Sequence, residues 1–512
     1  MIAEAVQDQL LRWGVREVVL AAGARNLPLA VAAFRRENLR CWNHFEERSA
    51  GYFALGRMRA TGLPVAVITT SGTAVANLLP PMIEAHYQGL PLLAVTADRP
   101  PDFRGTGAPQ AIEQRAIFGR YADWFDLTDA EGLGMLPEFA PTAPYHLNVC
   151  LEEPTAAELG RISTSDATPN RVPAMFSVVE DCSDLDDFVL QGEAGETLMV
   201  VGPLTPEQGA AVAPMLETYR RPVLAEAISN LPYSKRLKDL LVREDEVALS
   251  KTQRVLRIGG VPTARLWRDL EVYPQIAVAH LTDGKFTGLA RGGDILGALP
   301  KNVGEPISAE VEFGDGLDVS EFPESEVGLV AALAKAIPVG AMVFLGNSLP
   351  VREWSRVFPL GKHRCYANRG ANGIDGNLST FLGLAEQEGE QEAWAVVGDL
   401  TALYDLAGPF VLRQVSSGVR LRVVVLNNSG GRIFSRLPSL EGLAEEEQAS
   451  VENSHELEFS SVASLWGLHY RRFETAAEFS EHGEAQAGKR FELWELVPND
   501  EQTEAFWQSL SS

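Results

Sequence analysis

The sequence predicts an α/β protein of three doubly wound parallel-sheet domains in series. Three observations lead there. The chain has 512 residues, a length suited to about three domains that each bury a core. Its 46% hydrophobic and 22% charged residues are ordinary for a globular protein and argue against extensive disorder. Short β-branched runs alternate with helical stretches, and continuous apolar strands separated by helices form parallel sheets covered on both faces.

In chain order, the first region offers strands REVVLAAG (16–23), PVAVITT (64–70), PLLAVTAD (91–98) and PYHLNVC (144–150), with helices at 46–60 and 72–88 between them. The polar stretch RISTSDATPN (161–170) breaks the pattern and is the expected first linker. The middle region repeats the alternation with TLMVVGP (197–203), PVLAEA (222–227), VLRIGG (255–260) and QIAVAHL (275–281). A second boundary is expected between Glu305 and Glu326, where VEFGDGLDVSEFPESE is acidic and poor in apolar periodicity. The last region adds strands AMVFLGNS (341–348), HRCYANRG (363–370), AWAVVGD (393–399) and RLRVVVLNN (420–428). The expected domains are therefore 1–165, 175–315 and 325–512.

Charge narrows the functions. With 44 Lys and Arg against 69 Asp and Glu, the net charge is −25, which disfavours a general nucleic-acid binder because phosphate backbones need surplus cations. Cys41, Cys150, Cys182 and Cys365 are far apart, so neither a CxxC zinc site nor a disulfide framework is expected. The start, MIAEAVQDQLLRWGV, is acidic and amphipathic rather than basic then apolar, unlike a signal peptide. With no run of about 20 apolar residues, no membrane span is expected, and the expected location is the cytoplasm.

Four features carry possible chemistry. Gly398-Asp399-Leu400 closes one predicted strand, and Leu426-Asn427-Asn428 closes another, followed by Ser429-Gly430-Gly431. Ligands of doubly wound sheets bind outside the carboxyl ends of strands. A carboxylate, an amide oxygen and a backbone carbonyl form an all-oxygen set suited to Mg²⁺ holding a diphosphate. An Asp helix cap and an Asn-Gly-type bend would be spelled with the same letters. The second feature, His44-Phe45-Glu46-Glu47-Arg48, puts two acids at a helix start, where they complement the dipole or leave one carboxylate for a cofactor ring. The third, Thr69-Thr70-Ser71-Gly72-Thr73-Ala74, runs a strand into a helix through a glycine that a flat ligand can approach. The fourth is a set of arginines at element ends, Arg25, Arg99, Arg265, Arg352 and Arg369. In so acidic a chain they suggest a site for polycarboxylates through forked hydrogen bonds.

Taken together, AAGARNLPLA (21–30), HFEERSAGYFALG (44–56), VAVITTSGTAVANLLPPMIEA (65–85), TADRPP (96–101), GTGAPQAI (105–112), GNSLPVR (346–352), ANRGANGIDGNLST (367–380), GDLTALYDL (398–406) and LNNSGGRIFSRLP (426–438) resemble the thiamine-diphosphate-dependent enzymes. Within them the resemblance is closest to the 2-succinyl-5-enolpyruvyl-6-hydroxy-3-cyclohexene-1-carboxylate synthase family of menaquinone biosynthesis. The middle region matches mainly at GGVPTARL (259–266).

That resemblance implies a pyrimidine-binding first domain, a central domain and a diphosphate-binding third domain. The cofactor would lie between the first domain of one subunit and the third of another, in a homodimer or homotetramer. It implies Glu47 as the catalytic carboxyl at the aminopyrimidine, and Asp399, Asn428 and the Gly430 carbonyl as ligands of Mg²⁺ or Mn²⁺. Ile374 would be the apolar wedge that bends the cofactor. Gly72, Thr73, Ser348, Gly398, Leu400, Gly431, Ile433 and Phe434 would complete the cofactor contacts. Arg25, Arg99, Gln110, Arg265, Ser348, Arg352, Arg369, Ile433, Phe434 and Leu437 would bind the substrates 2-oxoglutarate and isochorismate. Ala24, Pro109 and Ala264 depart from the family's usual Ser, Asn and Lys. Each lost contact to a charged group weakens binding by on the order of 1.5–3 kcal/mol unless replaced. Another 2-oxoacid decarboxylase of acetohydroxyacid-synthase type, or a catalytically silent homologue, is the alternative.

Overall fold

A computed structural model describes residues 1–129, 131–137, 143–163, 183–300, 317–357, 361–389, 391–436, 440, 442–482 and 489–510. The first expected linker, from Thr164 onward, and most of the second boundary lie outside these residues. The chain divides into two compact units, Met1–Met175 with Gly370–Glu390 and Thr401–Val419, and Phe176–Arg369 with Gln391–Leu400 and Arg420–Ser512.

The first unit holds strands Glu17–Ala21 (β1), Arg40–His44 (β2), Val65–Thr69 (β3), Leu92–Asp98 (β4), Asp123–Leu127 (β5) and Tyr145–Cys150 (β6). They form one parallel sheet in the order β2-β1-β3-β4-β6-β5. The second unit holds two sheets. One contains Thr197–Val201 (β7), Val223–Ala225 (β8), Arg254–Ile258 (β9), Ala277–Leu281 (β10) and Asp294–Gly297 (β11), ordered β11-β10-β9-β7-β8. The other contains Met342–Leu345 (β12), Arg364–Tyr366 (β13), Glu392–Gly398 (β14), Arg420–Leu426 (β15), His469–Phe473 (β16) and Phe491–Leu496 (β17), ordered β13-β12-β14-β15-β17-β16. Counted from its own first strand, this last sheet repeats the order of the first. All three sheets are parallel, as the alternation predicts. No helix among the described residues is long and apolar enough to cross a membrane.

Strands β1, β3, β4 and β6 are buried along their whole length, which is why they read as unbroken apolar runs. β2, β5, β11 and β16 escaped that reading for a common reason. Each is an edge strand, and polar residues such as Arg40, Asp123, Asp294 and Arg471 interrupt the apolar run. β17 is interior but contains the buried Glu492 and Glu495, so its sequence looks polar. The single helix expected over 72–88 is two, Thr73–Ala76 and Leu79–Gln88. Pro80 and Pro81 lack the N–H that would continue the ladder, and they suit a fresh first turn instead.

Helix Glu47–Thr61 is the spine of the first unit and packs on helix Asn377–Ala385. A Cβ on Gly56 would lie 2.1 Å from the Thr380 carbonyl oxygen, and one on Gly383 would lie 2.3 Å from that of Phe53, so only glycine permits this approach. Arg57 fastens the same helix by donating from Nε and Nη2 to Glu17 at 2.8 and 2.7 Å, and from Nη1 to the Gly383 carbonyl at 2.9 Å. Beneath it, the fully buried Asp405 accepts from the Ser379 N–H at 2.7 Å, the Ser379 hydroxyl at 2.8 Å and the Ser49 hydroxyl at 2.9 Å.

Burial pushes the Asp405 carboxyl up from 3.8 to about 6, against those hydrogen bonds. A carboxyl raised on folding contributes most to stability below its unfolded value, and that contribution disappears as pH rises through the folded one. Asp405→Asn is therefore expected to gain on wild type by about 1 kcal/mol between pH 5 and pH 7.5. Urea midpoints at the two pH values measure it, and parallel shifts in both proteins would contradict it.

Candidate functional site

The carboxyl edges of the sheets carry the predicted residues. In the third sheet, β14 and β15 pair in register from Glu392↔Arg420 to Gly398↔Leu426. Asp399 and Asn427-Asn428 therefore emerge side by side. The helix Asp399–Tyr404 starts at Asp399 itself, whose carboxylate closes the turn. Asp399 is buried, and its Oδ1 accepts from the Leu400 N–H at 2.6 Å while Oδ2 accepts from the Gly430 N–H at 2.8 Å. Burial raises its pKa, while the Gly430 and Leu400 N–H groups and His455 oppose the rise. His455 Nε2 stands 3.3 Å from Asp399 Oδ2.

Asn427 and Asn428 have different tasks. The Asn427 amide donates to the Leu457 carbonyl at 2.8 Å and to Glu495 at 2.6 Å, and its oxygen accepts from Ser429. Asn428 donates from Nδ2 to both oxygens of the buried Glu326, at 3.0 and 2.9 Å. Gly430 has φ of 140°, and a Cβ there would meet the Glu452 carbonyl oxygen at 2.8 Å. The chain thus presents a bare backbone beside Asp399. A carboxylate, an amide and the Gly430 carbonyl, which accepts from the Arg432 N–H at 3.0 Å and keeps a second lone pair, match the oxygen-only preference of Mg²⁺ or Mn²⁺, so these residues fit such an ion.

Ser348, Arg352 and Arg369 follow β12 and β13 at the same edge, where the strand order reverses between β12 and β14, the usual ligand position of a doubly wound sheet. Ser348 holds φ of 76°, a conformation rare for a side-chain-bearing residue and concentrated at functional sites. Arg352 donates to the Ser348 carbonyl at 2.5 Å, and Arg369 donates to Asn347 Oδ1 at 2.7 Å. Both arginines interact electrostatically with Glu226, which follows β8. Glu226 is fully buried; burial raises its pKa, while Thr263, Arg369 and Ala264 oppose the rise. Its Oε1 accepts from the N–H and hydroxyl of Thr263 and from the Ala264 N–H. That clamp fixes the loop before Arg265. Arg265 itself is exposed and lies 3.5 Å from Asp269. Gly398, Leu400, Gly431 and Ile433 are half-buried around this edge and Phe434 is exposed; Leu437 lies outside the described residues.

In the first unit, Arg25, Glu47, Gly72 with Thr73, and Arg99 follow β1, β2, β3 and β4. The two acids of the HFEER segment divide the work. Glu46 is the helix cap, accepting from the N–H groups of Arg48 at 3.1 Å and Ser49 at 2.8 Å. Glu47 does not cap; it is half-buried and accepts from Asn77 Nδ2 at 3.2 Å. The Gly72 N–H donates to Gln114 at 2.9 Å, and Gln110 stands against Gly72 with φ of 57°. Arg99 donates to the Pro109 carbonyl at 3.0 Å and Arg25 to the Leu151 carbonyl at 3.0 Å. Ile374 sits in a loop tied to this unit, where Glu84 accepts from Gly370 and Ala371 at 2.8 and 2.6 Å and Tyr52 donates to Asp375 at 2.8 Å. A separate group, Asp98, Asp126 and Cys150, has cation-ligand spacing. The Arg104 guanidinium already occupies it, 3.2 Å from Asp98 and 2.8 Å from Asp126.

Sequence reasoning missed Glu326, Glu226, Gln114 and His455. Glu326 ends the acidic stretch VEFGDGLDVSEFPESE, where one more acid carries no signal, and Glu226 is a lone Glu at a strand end. Gln114 lies four residues beyond Gln110, but only folding brings its amide to Gly72.

A family profile described as thiamine pyrophosphate enzyme, N-terminal TPP binding domain, matches residues 1–117. Proteins named 2-succinyl-5-enolpyruvyl-6-hydroxy-3-cyclohexene-1-carboxylate synthase are similar over almost the whole chain. That of Bdellovibrio bacteriovorus is 38% identical, covering 99% of this chain and 98% of its own. That of Akkermansia muciniphila is 37% identical over 96% and 95%, and that of Chloroflexus aurantiacus 34% over 91% and 88%.

The Glu226 clamp makes a stability prediction. Glu226→Ala strands three donors and is expected to cost about 2–4 kcal/mol, whereas Glu226→Gln keeps an acceptor without a buried charge and costs about 1 kcal/mol or less. Urea denaturation at pH 7 separates the two, and equal losses would refute the clamp.

Proposed function

The chain belongs to the 2-succinyl-5-enolpyruvyl-6-hydroxy-3-cyclohexene-1-carboxylate synthase family of thiamine-diphosphate-dependent enzymes, and from that premise we propose that it decarboxylates 2-oxoglutarate and adds the succinyl unit to isochorismate in menaquinone biosynthesis. The observation that best supports the reading is the pairing of buried Asp399 with the Gly430 N–H, beside an Asn428 whose amide nitrogen is already taken. The division we propose is a pyrimidine-binding domain at 1–165, a central domain at 175–315 and a diphosphate-binding domain at 325–512. Two or four copies would assemble in the cytoplasm with active sites between subunits.

Thiamine diphosphate supplies, when bound, a thiazolium carbon that acts as nucleophile and stores the electrons left by departing CO₂. The chain's residues do the rest. Asp399, Asn428 and the Gly430 carbonyl would hold Mg²⁺ or Mn²⁺, whose charge would offset that of the diphosphate. Gly398, Leu400, Gly431, Ile433, Phe434 and Ser348 enclose that end, and Gly72 and Thr73 the ring end. Glu47 holds a proton at the ring nitrogen of the aminopyrimidine, so that the amino group can act as base. Ile374 would give the cofactor an apolar side chain to rest against. Arg25, Arg99, Arg265, Arg352, Arg369 and Gln110 bind the carboxylates of two dianionic substrates, with Leu437 on the apolar side. Glu226 places a carboxylate near Arg352 and Arg369, limiting repulsion between them before substrate arrives.

The test is CO₂ release from 2-oxoglutarate or pyruvate with Mg²⁺ and thiamine diphosphate, with and without isochorismate. The expected result is preference for 2-oxoglutarate and product only when isochorismate is present. Glu47→Gln should lower kcat about 10²–10⁴-fold with cofactor binding retained, and Asp399→Ala should abolish turnover. Preference for pyruvate would point instead to an acetohydroxyacid-synthase-like enzyme.

A further inference from the structure

Resting on the reading of Asp399, Asn428 and Gly430 as a metal site, we propose that Glu326 is a positioning residue that turns the amide oxygen of Asn428 toward the cation. An asparagine amide has two ends of nearly equal size and opposite character. A free amide at a cation site would present its NH₂ in part of the population, directing positive charge at the ion. Whatever its charge, a carboxyl group carries a proton on at most one oxygen, so at least one of its two oxygens can only accept a hydrogen bond. The end of Asn428 that contacts both Glu326 oxygens, at 3.0 and 2.9 Å, must therefore be nitrogen. The amide is planar, so Oδ1 faces the other way.

Glu326 is held firmly enough for this task. It is 2% exposed and opens helix Glu326–Ala336. Its own N–H donates to Thr503 Oγ1 at 3.0 Å, and the preceding Ser325 caps the helix by accepting from the Gly328 N–H at 3.0 Å. The neighbouring Asn427 provides the contrast, since both ends of its amide are bonded within the protein. The carboxylate also polarises the Asn428 amide, making its oxygen a better donor to a cation, as outer partners of metal ligands do.

The test is a Mn²⁺ titration of the full-length chain with thiamine diphosphate, reading free Mn²⁺ by electron paramagnetic resonance. Thermal unfolding in EDTA is followed in parallel. Wild type, Asp399→Asn, Glu326→Ala and Glu326→Gln are compared. Glu326→Ala is expected to weaken Mn²⁺ binding about 10–100-fold, with Glu326→Gln between it and wild type because its carbonyl still accepts from Asn428. A purely structural Glu326 would lower the unfolding temperature and leave Mn²⁺ affinity at the wild-type value, overturning the proposal. If Glu326→Ala does not fold, wild-type affinity in Glu326→Gln overturns it equally. Wild type binding Mn²⁺ no better than Asp399→Asn would instead sink the metal site, and the proposal with it.

Discussion

The pairing of Gly398 with Leu426 at the carboxyl ends of β14 and β15 is the constraint on which the rest depends. Side chains alternate faces along a strand, so a slip of one residue would exchange Trp394 and Val396, packed in one core cluster, for Ala395 and Val397, which are buried outside it. Val396 and Val424 are fully buried in the same core cluster, and that burial fixes the register. The register in turn delivers Asp399 and Asn428 to one edge. Hydrophobic packing several residues inside the sheet thereby sets polar geometry at its rim.

At the strand ends the chain repeatedly places two similar residues together and gives them different work. Glu46 closes a helix, while Glu47 is left with one contact to Asn77. Asn427 ties strand to loop, while Asn428 is gripped by its nitrogen alone. The structural member of each pair satisfies local backbone or buried groups, which would cost about 1–3 kcal/mol each if left unpaired. With those needs met, the adjacent residue is free for a ligand.

Charge follows the same logic. A chain with a net charge of −25 opposes the approach of anions over most of its surface. Arg352 and Arg369 are held in place by Ser348 and Asn347 and face the buried Glu226. Guanidinium groups already fixed in position lose less freedom on binding a carboxylate than mobile ones.

The sequence by itself determined the α/β class, the interior strands other than β17, and the segments around Asp399, Asn428, Glu47 and Gly72. These are local properties: apolar runs, turn residues and short motifs whose chemistry is spelled within about ten positions. Edge strands such as β2 and β16 were hidden because polar residues interrupt the apolar run, and the proline break at Pro80-Pro81 was passed over in a longer apolar pattern. Only the tertiary structure decided which of two adjacent acids caps, which of two adjacent asparagines keeps its oxygen free, and that Arg265 pairs with Asp269. Some of those choices rest on partners remote in sequence, such as Glu326 for Asn428 and Thr263 for Glu226. Such partners meet only after burial of the apolar strands has set each sheet's carboxyl edge.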